Sequence, residues 1–142
     1  MLRFIVVLAC LFLVSCATDH TYMKDLFSPG LQKAMETSKK GNPMQGAVLM
    51  KDEAERGNGI AQSMMARVYG NLAENDGPEK GNDLVEAYKW IELSCNKGVL
   101  YDKMPTDQAD DIAYRDQLAK KMTSEQIAAA KKLAAEWQPK GP

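Results

Sequence analysis

The sequence predicts an all-α fold in which antiparallel helix pairs stack as a short α-solenoid. From Pro29 onward, no stretch alternates polar and apolar residues with the period of two that a half-buried strand requires. Apolar residues recur instead at helical spacing, and short turns rich in Gly, Asn and Pro separate the helical stretches. Because helices joined by short turns lie beside each other, we expect successive helices to run antiparallel.

The first two helices are predicted from the residues at their ends. Ser28 is typical of an N-cap and is followed by proline, which predicts a first helix over 29–40 that stops at Gly41. A second helix is expected over 43–56 and ends at Gly57. The glycine at position 46 makes the start of this second helix less certain to place.

The third and fourth helices carry wide apolar stripes. The third is predicted over 59–71, and its stripe consists of Ile60, Ala61, Met64, Met65, Val68, Tyr69 and Leu72. The fourth is expected to begin at Asp83 in a capping box with Glu86, and to end at Lys97-Gly98. Its inward residues are expected to be Leu84, Ala87, Tyr88, Ile91 and Cys95. The gap from Asn71 to Asn82 either binds a partner or only connects two helices, and the connector is favoured.

The fifth helix is the most polar. It is predicted to start after Pro105-Thr106 and to run to about Lys121, with only Ala109, Ile112, Ala113 and Leu118 as apolar residues. Its aspartates are expected to occupy exposed positions, namely Asp107, Asp110, Asp111 and Asp116. A sixth helix is predicted to begin with a capping box of Thr123 and Gln126 and to continue to Trp137.

The start of the chain has the features of a secretory signal. Arg3 precedes an apolar run from Phe4 to Val14, which is too short to span a membrane and is followed by a small residue. The alternative is a buried N-terminal helix. The residues Leu13-Val14-Ser15-Cys16 resemble a bacterial lipobox, which favours the signal. This resemblance implies that a signal peptidase recognises Leu13, Val14 and Ser15 and that the sulfur of Cys16 carries a diacylglyceryl thioether.

The lipobox divides the chain into three parts. These are a signal peptide (1–15), a lipidated tether (16–28) and a helical repeat domain (29–142). Two or three acyl chains would hold the protein stably on a membrane. The residue after Cys16 is Ala17, whereas an inner-membrane retention signal has Asp at this position. The resemblance therefore implies an outer-membrane anchor that faces the periplasm.

Composition excludes several classes of partner. Removal of residues 1–15 would leave 127 residues with 17 basic and 19 acidic side chains. This nearly neutral charge provides no electrostatic basis for binding nucleic acid or an anionic membrane. Cys95 would be the only cysteine without lipid, so no disulfide can form within the chain. It is either a small packing residue, which is favoured, or a reactive or intermolecular thiol.

One unit of the chain resembles a known repeat. Gly57 and Gly98 close two helices 41 positions apart, and the residues between them resemble a Sel-one-like repeat, a relative of the tetratricopeptide repeat. The matching positions are Ala61, Ala66 and Tyr69 in the first helix and Ala87, Trp90, Ser94 and Gly98 in the second. The resemblance implies that small residues allow close helix approach while Tyr69 and Trp90 fill space between neighbouring pairs. Residues 122–137 resemble the terminal helix that closes many bacterial members.

No catalytic constellation is evident in the sequence. The single histidine, His20, falls in the tether, and clusters of His or Cys that would hold a metal are absent. We therefore expect a protein without enzymatic activity, metal or cofactor. The resemblance implies an adaptor that binds an unidentified protein partner at the cell envelope. The alternatives are an inhibitor or immunity protein against a periplasmic toxin, or a structural protein that contacts peptidoglycan.

Overall fold

The computed structural model describes residues 27–75, 80–96 and 105–141, and for residues 105–107 it describes the backbone alone. Within these ranges the chain forms six helices and no strand, so the predicted all-α class is confirmed. The helices are α1 (Pro29–Lys39), α2 (Pro43–Glu55), α3 (Gly59–Asn75), α4 (Lys80–Asn96), α5 (Pro105–Ala119) and α6 (Ser124–Glu136). None of the helices described here combines the length and apolar character needed to cross a bilayer.

Several predicted helix ends are confirmed. The Oγ of Ser28 accepts a hydrogen bond from the Leu31 N–H at 3.1 Å, as an N-cap does. At the start of α6, the Thr123 Oγ1 accepts from the Gln126 N–H, and the Gln126 side chain accepts from the Thr123 N–H, which completes the capping box. Gly41 and Gly57 follow α1 and α2 with φ of 88° and 95°, a left-handed conformation that glycine adopts without strain.

The predicted ends around residues 71 and 83 are wrong. Helix α3 continues to Asn75, and α4 begins at Lys80, so only 76–79 separate them and these lie outside the described residues. Asp83 lies in the first turn of α4 and is not its N-cap. Glu86 forms no capping box and accepts a hydrogen bond from Lys89 Nζ at 2.5 Å. Packing overrides the weak helix propensity of Gly81, where an added Cβ would lie 3.0 Å from Gln126 of α6.

The chain forms two compact units, residues 1–53 and 54–142, with the boundary inside α2. In the first unit, α1 and α2 approach closely at Gly46. A Cβ at this position would overlap the Oγ of Ser38 and lie 2.8 Å from the carbonyl oxygen of Ala34. Glycine thus permits the close approach, at the cost of some helix propensity in α2.

In the second unit, α4 packs against α3, α5 and α6. Ser94 Oγ, near the end of α4, lies 3.1 Å from the carbonyl oxygen of Gly59 at the start of α3, so these two helices run antiparallel. The residues that α4 buries are Leu84, Ala87, Tyr88, Trp90, Ile91, Leu93 and Ser94. Helix α4 is therefore the central element of this unit.

The stripe predicted for α3 is only partly buried. Of its members, Ala61 and Met65 are buried, whereas Ile60, Met64, Val68, Tyr69 and Leu72 are half-buried. The buried face of α3 is mostly small: Ala61, Gln62, Met65, Ala66, Gly70 and Ala73. Small side chains on this face allow neighbouring helices to approach closely, and at Gly70 the neighbour is Tyr114 of α5.

The apolar residues that the sequence shows in α5 do not share one buried face. Leu118 is buried, but Ala109, Ile112 and Ala113 are exposed. The inward face of α5 consists of Leu118 and, two turns before it, a carboxylate that the sequence analysis expected to be in solvent. This carboxylate defines the site described next.

Candidate functional site

The carboxylate of Asp111 is buried where three helices of the second unit meet. Asp111 is 3% exposed, so the prediction of an exposed position is wrong for this residue. Its Oδ1 accepts hydrogen bonds from Ser63 Oγ at 2.7 Å and from Arg67 Nη2 at 3.0 Å. Its Oδ2 accepts from Ser94 Oγ at 2.9 Å. These four residues, which we call the Asp111 cluster, join α3, α4 and α5.

Local helix geometry explains how the cluster assembles. Ser63 and Arg67 are four residues apart on α3, so both side chains face α5. A buried carboxylate is costly unless it is paired and hydrogen-bonded, and here one cation and two hydroxyl groups stabilise it. The cluster therefore fixes the position of α5 against the other two helices.

Arg67 also stacks on an aromatic ring. Its guanidinium carbon lies 4.7 Å from the centroid of the Tyr114 ring, within the range of a cation–π interaction. The Tyr114 hydroxyl donates a long hydrogen bond, 3.5 Å, to the carbonyl oxygen of Ala66. Burial raises the pKa of Tyr114, the charge of Arg67 lowers it in part, and the net shift is upward. The phenol is thus neutral at physiological pH, while 42% of the Arg67 side chain remains exposed.

The geometry of the cluster is that of a structural tie. Ser63 and Ser94 donate their protons to a carboxylate that Arg67 already neutralises, and the only histidine of the chain lies outside the described residues. Across the described ranges, no three His, Cys, Asp or Glu side chains are grouped so as to hold a metal ion. The Asp111 cluster holds the half-exposed side chain of Arg67 in a fixed position.

Cys95 lies one residue beyond the cluster on α4 and is half-buried. Burial raises the pKa of its thiol to about 11, and the nearby charge of Arg115 offsets only part of this effect. Because the thiolate is the reactive form, the thiol is poorly reactive near neutral pH. This favours the packing role over the reactive one.

The repeat positions predicted from the sequence differ in burial. Ala61, Ala66 and Ala87 are fully buried, Trp90 is 2% exposed, and Ser94 belongs to the Asp111 cluster. Tyr69 is only half-buried. Gly98 lies outside the described residues, as do the proposed lipidation residue Cys16 and the signal peptidase residues Leu13, Val14 and Ser15.

Trp90 sits beside charged and polar groups. Lys89 Nζ lies 4.2 Å from the centroid of the Trp90 ring. Among the residues the structure describes, the buried Trp90 Nε1 and the buried Gln62 Oε1 form no hydrogen bond, although Gln62 Nε2 donates to the carbonyl oxygen of Ala54. Trp90 therefore contributes to stability through packing and through its contact with Lys89.

Sequence reasoning missed Ser63, Arg67, Asp111 and Tyr114. The four-residue spacing of Ser63 and Arg67 was a weak local signal, because it shows a shared face but not what that face meets. Asp111 belongs to a run of aspartates in which no local feature distinguishes the buried one. Only the packing of α5 on α3 and α4 identifies it.

No family model, curated protein or solved structure matches the chain. Its function must therefore be inferred from the sequence patterns and from the geometry of the two units.

Proposed function

We propose that this chain is a lipid-anchored adaptor of the bacterial cell envelope that binds a protein partner at the periplasmic face of the outer membrane. In this proposal residues 1–15 are removed as a signal peptide and Cys16 carries the lipid. The helices form stacked Sel-one-like pairs, a short α-solenoid with an extended binding surface. The proposal includes no catalytic activity, metal or cofactor.

The observation that carries the anchor is the position of the lipobox-like residues. Leu13-Val14-Ser15-Cys16 come directly at the end of an apolar run preceded by Arg3. The chemistry requires a cysteine, because its sulfur must attack an activated lipid. A small residue at position 15 allows the peptidase to approach the bond that it cleaves.

The geometry of the second unit supports a binding function. The antiparallel pair α3–α4 is tightly packed through Ala61, Ala66 and Ala87, and the Asp111 cluster fixes α5 against it. A rigid surface loses little conformational entropy when a partner binds, which favours affinity. Arg67 presents a positioned, half-exposed guanidinium on this surface, a group suited to a carboxylate of a partner.

Metabolic labelling with an alkyne analogue of palmitate tests the anchor. The whole chain expressed in a bacterium is expected to incorporate the label, and mass spectrometry should find the acyl groups on Cys16 at the new N-terminus. Cys16→Ser should abolish labelling. Cys95→Ser is the matched control and should label normally, because that residue lies on α4, far along the chain from the lipobox. An unacylated wild-type chain would overturn the anchor.

Crosslinking in intact envelopes tests the adaptor. Recovery of one stoichiometric protein with the wild-type chain would support it. Recovery of a toxin whose activity the chain blocks would favour an inhibitor or immunity protein instead. Co-sedimentation with purified peptidoglycan and no protein partner would favour a structural envelope protein. Turnover of a cell-wall or β-lactam substrate by the purified protein would contradict the proposed absence of catalysis.

A further inference from the structure

Helix α2 exposes two large apolar side chains in the first unit. Met44 is 62% exposed and Val48 is 67% exposed, the highest values among the large hydrophobic residues that the structure describes. They are four residues apart, so they lie side by side on one face of the helix. Exposing such residues to water is unfavourable, and their alignment indicates a surface that something apolar covers.

The charges around these two residues are mainly positive. Among residues 27–53 the exposed charged residues are Lys33, Glu36, Lys39, Lys40 and Lys51, while Asp52 and Glu53 are half-buried. Glu36 is engaged by Lys40 at 3.8 Å, and the half-buried Glu53 accepts a hydrogen bond from Ser28. Within the described part of the chain, Lys39 and Lys51 form no ion pair. Their charge is therefore available to a ligand.

The lysines and the apolar pair are close together along the chain. Lys51 follows Val48 by three residues on α2, so it lies one helical turn further along. Lys39 and Lys40 immediately precede the turn that leads into Met44. We call these five residues (Lys39, Lys40, Met44, Val48 and Lys51) the basic–apolar face.

The 17 basic and 19 acidic side chains of residues 16–142 give no net attraction to an anionic membrane, so any attraction must come from a local group of lysines. We propose that the basic–apolar face lies on the surface of an anionic lipid bilayer, with Met44 and Val48 inserted among the headgroups. Interfacial binding depends on apolar area buried in the headgroup region and on attraction between basic side chains and anionic lipids, and this face offers both. The inference rests on the proposed function, since the acyl chains on Cys16 would bring the face to the membrane.

The length of the tether is consistent with a lipid bilayer as the ligand of this face. Ten residues separate Cys16 from Phe27, the first described residue of the unit. At about 3.3 Å per residue, the length of chain between them can reach at most roughly 35 Å. A face held this close to a bilayer has a high effective concentration of lipid. Weak individual contacts are then sufficient for docking.

A second copy of the chain fits this face less well. Two large apolar side chains bury far less area than a stable protein interface requires. Two copies would also bring Lys39 and Lys51 towards like charges, which disfavours association. An anionic surface instead attracts all three lysines.

A fluorescent label at position 48 tests the proposal. The full chain is expressed in bacteria with Cys95→Ser and Val48→Cys, purified from membranes, labelled with an environment-sensitive dye and placed in phosphatidylglycerol vesicles that contain spin-labelled lipid. We expect a blue shift and strong quenching at position 48. Ala129→Cys, an exposed position on α6, is the matched control and should show little quenching. In phosphatidylcholine vesicles the quenching at position 48 should fall.

Charge reversal gives a second readout. Each lysine near an anionic surface contributes about five-fold to binding, so Lys39→Glu with Lys51→Glu should remove most of the quenching at position 48 without affecting the acyl anchor. Equal, weak quenching at positions 48 and 129 in an acylated sample would overturn the face and leave the anchor intact. A blue shift without lipid quenching would also overturn it, because a protein would then cover the face. An unacylated Cys16 would contradict the proposed anchor. Quenching of the label at position 48 by lipid in the same sample would then show by itself whether the basic–apolar face binds lipid.

Discussion

The hydroxyl of Tyr114 occupies the space that Gly70 leaves open by having no side chain. A Cβ at position 70 would overlap the Tyr114 hydroxyl oxygen and lie 3.3 Å from the ring carbon that bears it. Gly70 is buried inside α3, where alanine would otherwise be favoured by about 1 kcal/mol. This glycine therefore serves the packing of α5 on α3, although it weakens the helix that contains it.

Gly70→Ala is expected to lower the free energy of unfolding by up to about 2 kcal/mol, because displacement of the phenol costs about 1–3 kcal/mol and the higher helix propensity of alanine offsets about 1 kcal/mol of this. Urea denaturation followed by circular dichroism measures the change. Tyr114→Phe removes the overlapping oxygen, so Gly70→Ala should cost much less in that background. If the two substitutions were simply additive, the proposed contact would not account for the glycine.

Asp111→Ala is expected to destabilise the second unit. The substitution leaves the hydroxyl of Ser63 without its acceptor, which costs about 1–3 kcal/mol, whereas the hydroxyl of Ser94 can still donate to the carbonyl oxygen of Gly59. Arg67 adds little to this cost, since its side chain is 42% exposed and can regain water. Asp110→Ala is the control. Asp110 is exposed, so its loss should change stability by less than about 0.5 kcal/mol. Equal effects of the two substitutions in urea denaturation would argue against the structural tie.

Trp90→Ala is expected to cost about 3–5 kcal/mol, because the side chain is 2% exposed and its removal leaves a large cavity. Differential scanning calorimetry measures the loss. Trp90→Phe should lower the free energy of unfolding clearly less. The phenyl ring fills part of the cavity, and the buried indole N–H of Trp90 has no hydrogen bond to lose. A small loss for Trp90→Ala would mean that this ring is not a principal packing residue.

Stability is expected to fall between pH 9 and pH 11. Folding raises the pKa of Cys95 from 9.0 to about 11, so below pH 9 the thiol is protonated in both the folded and the unfolded chain. Above pH 9 the unfolded chain releases this proton first, and the free energy of unfolding decreases by up to about 1.4 kcal/mol per pH unit. Tyr88 and Tyr114, whose pKa values burial also raises from 10.0, act in the same direction at higher pH.

Cys95→Ser separates the thiol from the tyrosines. Denaturation of this variant should show a flatter pH dependence just above pH 9 and retain the loss at higher pH. Alkylation by iodoacetamide at pH 8, followed on the Cys95 peptide, should be about 100-fold slower in the folded chain than in urea, because the reactive thiolate is scarce. Similar rates in both states would contradict the raised pKa.

Local signals were sufficient for much of the fold. The caps at Ser28 and Thr123 and the stops at Gly41 and Gly57 depend on residues within one turn of a helix end, so the sequence predicts them well. The buried small residues of the α3–α4 pair were also predicted from their repeat-like spacing. Residues that are close together in the sequence therefore determine most of the helix ends and the pairing of α3 with α4.

Long-range packing accounts for the failures. In the sequence, nothing distinguishes Asp111 from its exposed neighbour Asp110. The difference arises when α5 packs and Asp111 accepts a hydrogen bond from Ser63, which lies 48 positions before Asp111. Ile112 has the character of a core residue but lies on the outer face, because the orientation of α5 is set by its polar contacts. Asp83 likewise has the character of an N-cap, but α4 begins three residues before it, at Lys80.

The last described residues return to the start of the second unit. The N–H of Lys140 donates to the carbonyl oxygen of Glu55 at 2.8 Å, and the Lys140 ammonium pairs with the Glu55 carboxylate. Since the two ends of this unit are adjacent, a short linker can join them, and new ends can be opened between Asn75 and Lys80. A circular permutant of the second unit should therefore keep its helical packing, whereas a bulky fusion placed directly after Lys140 would strain the contact with Glu55.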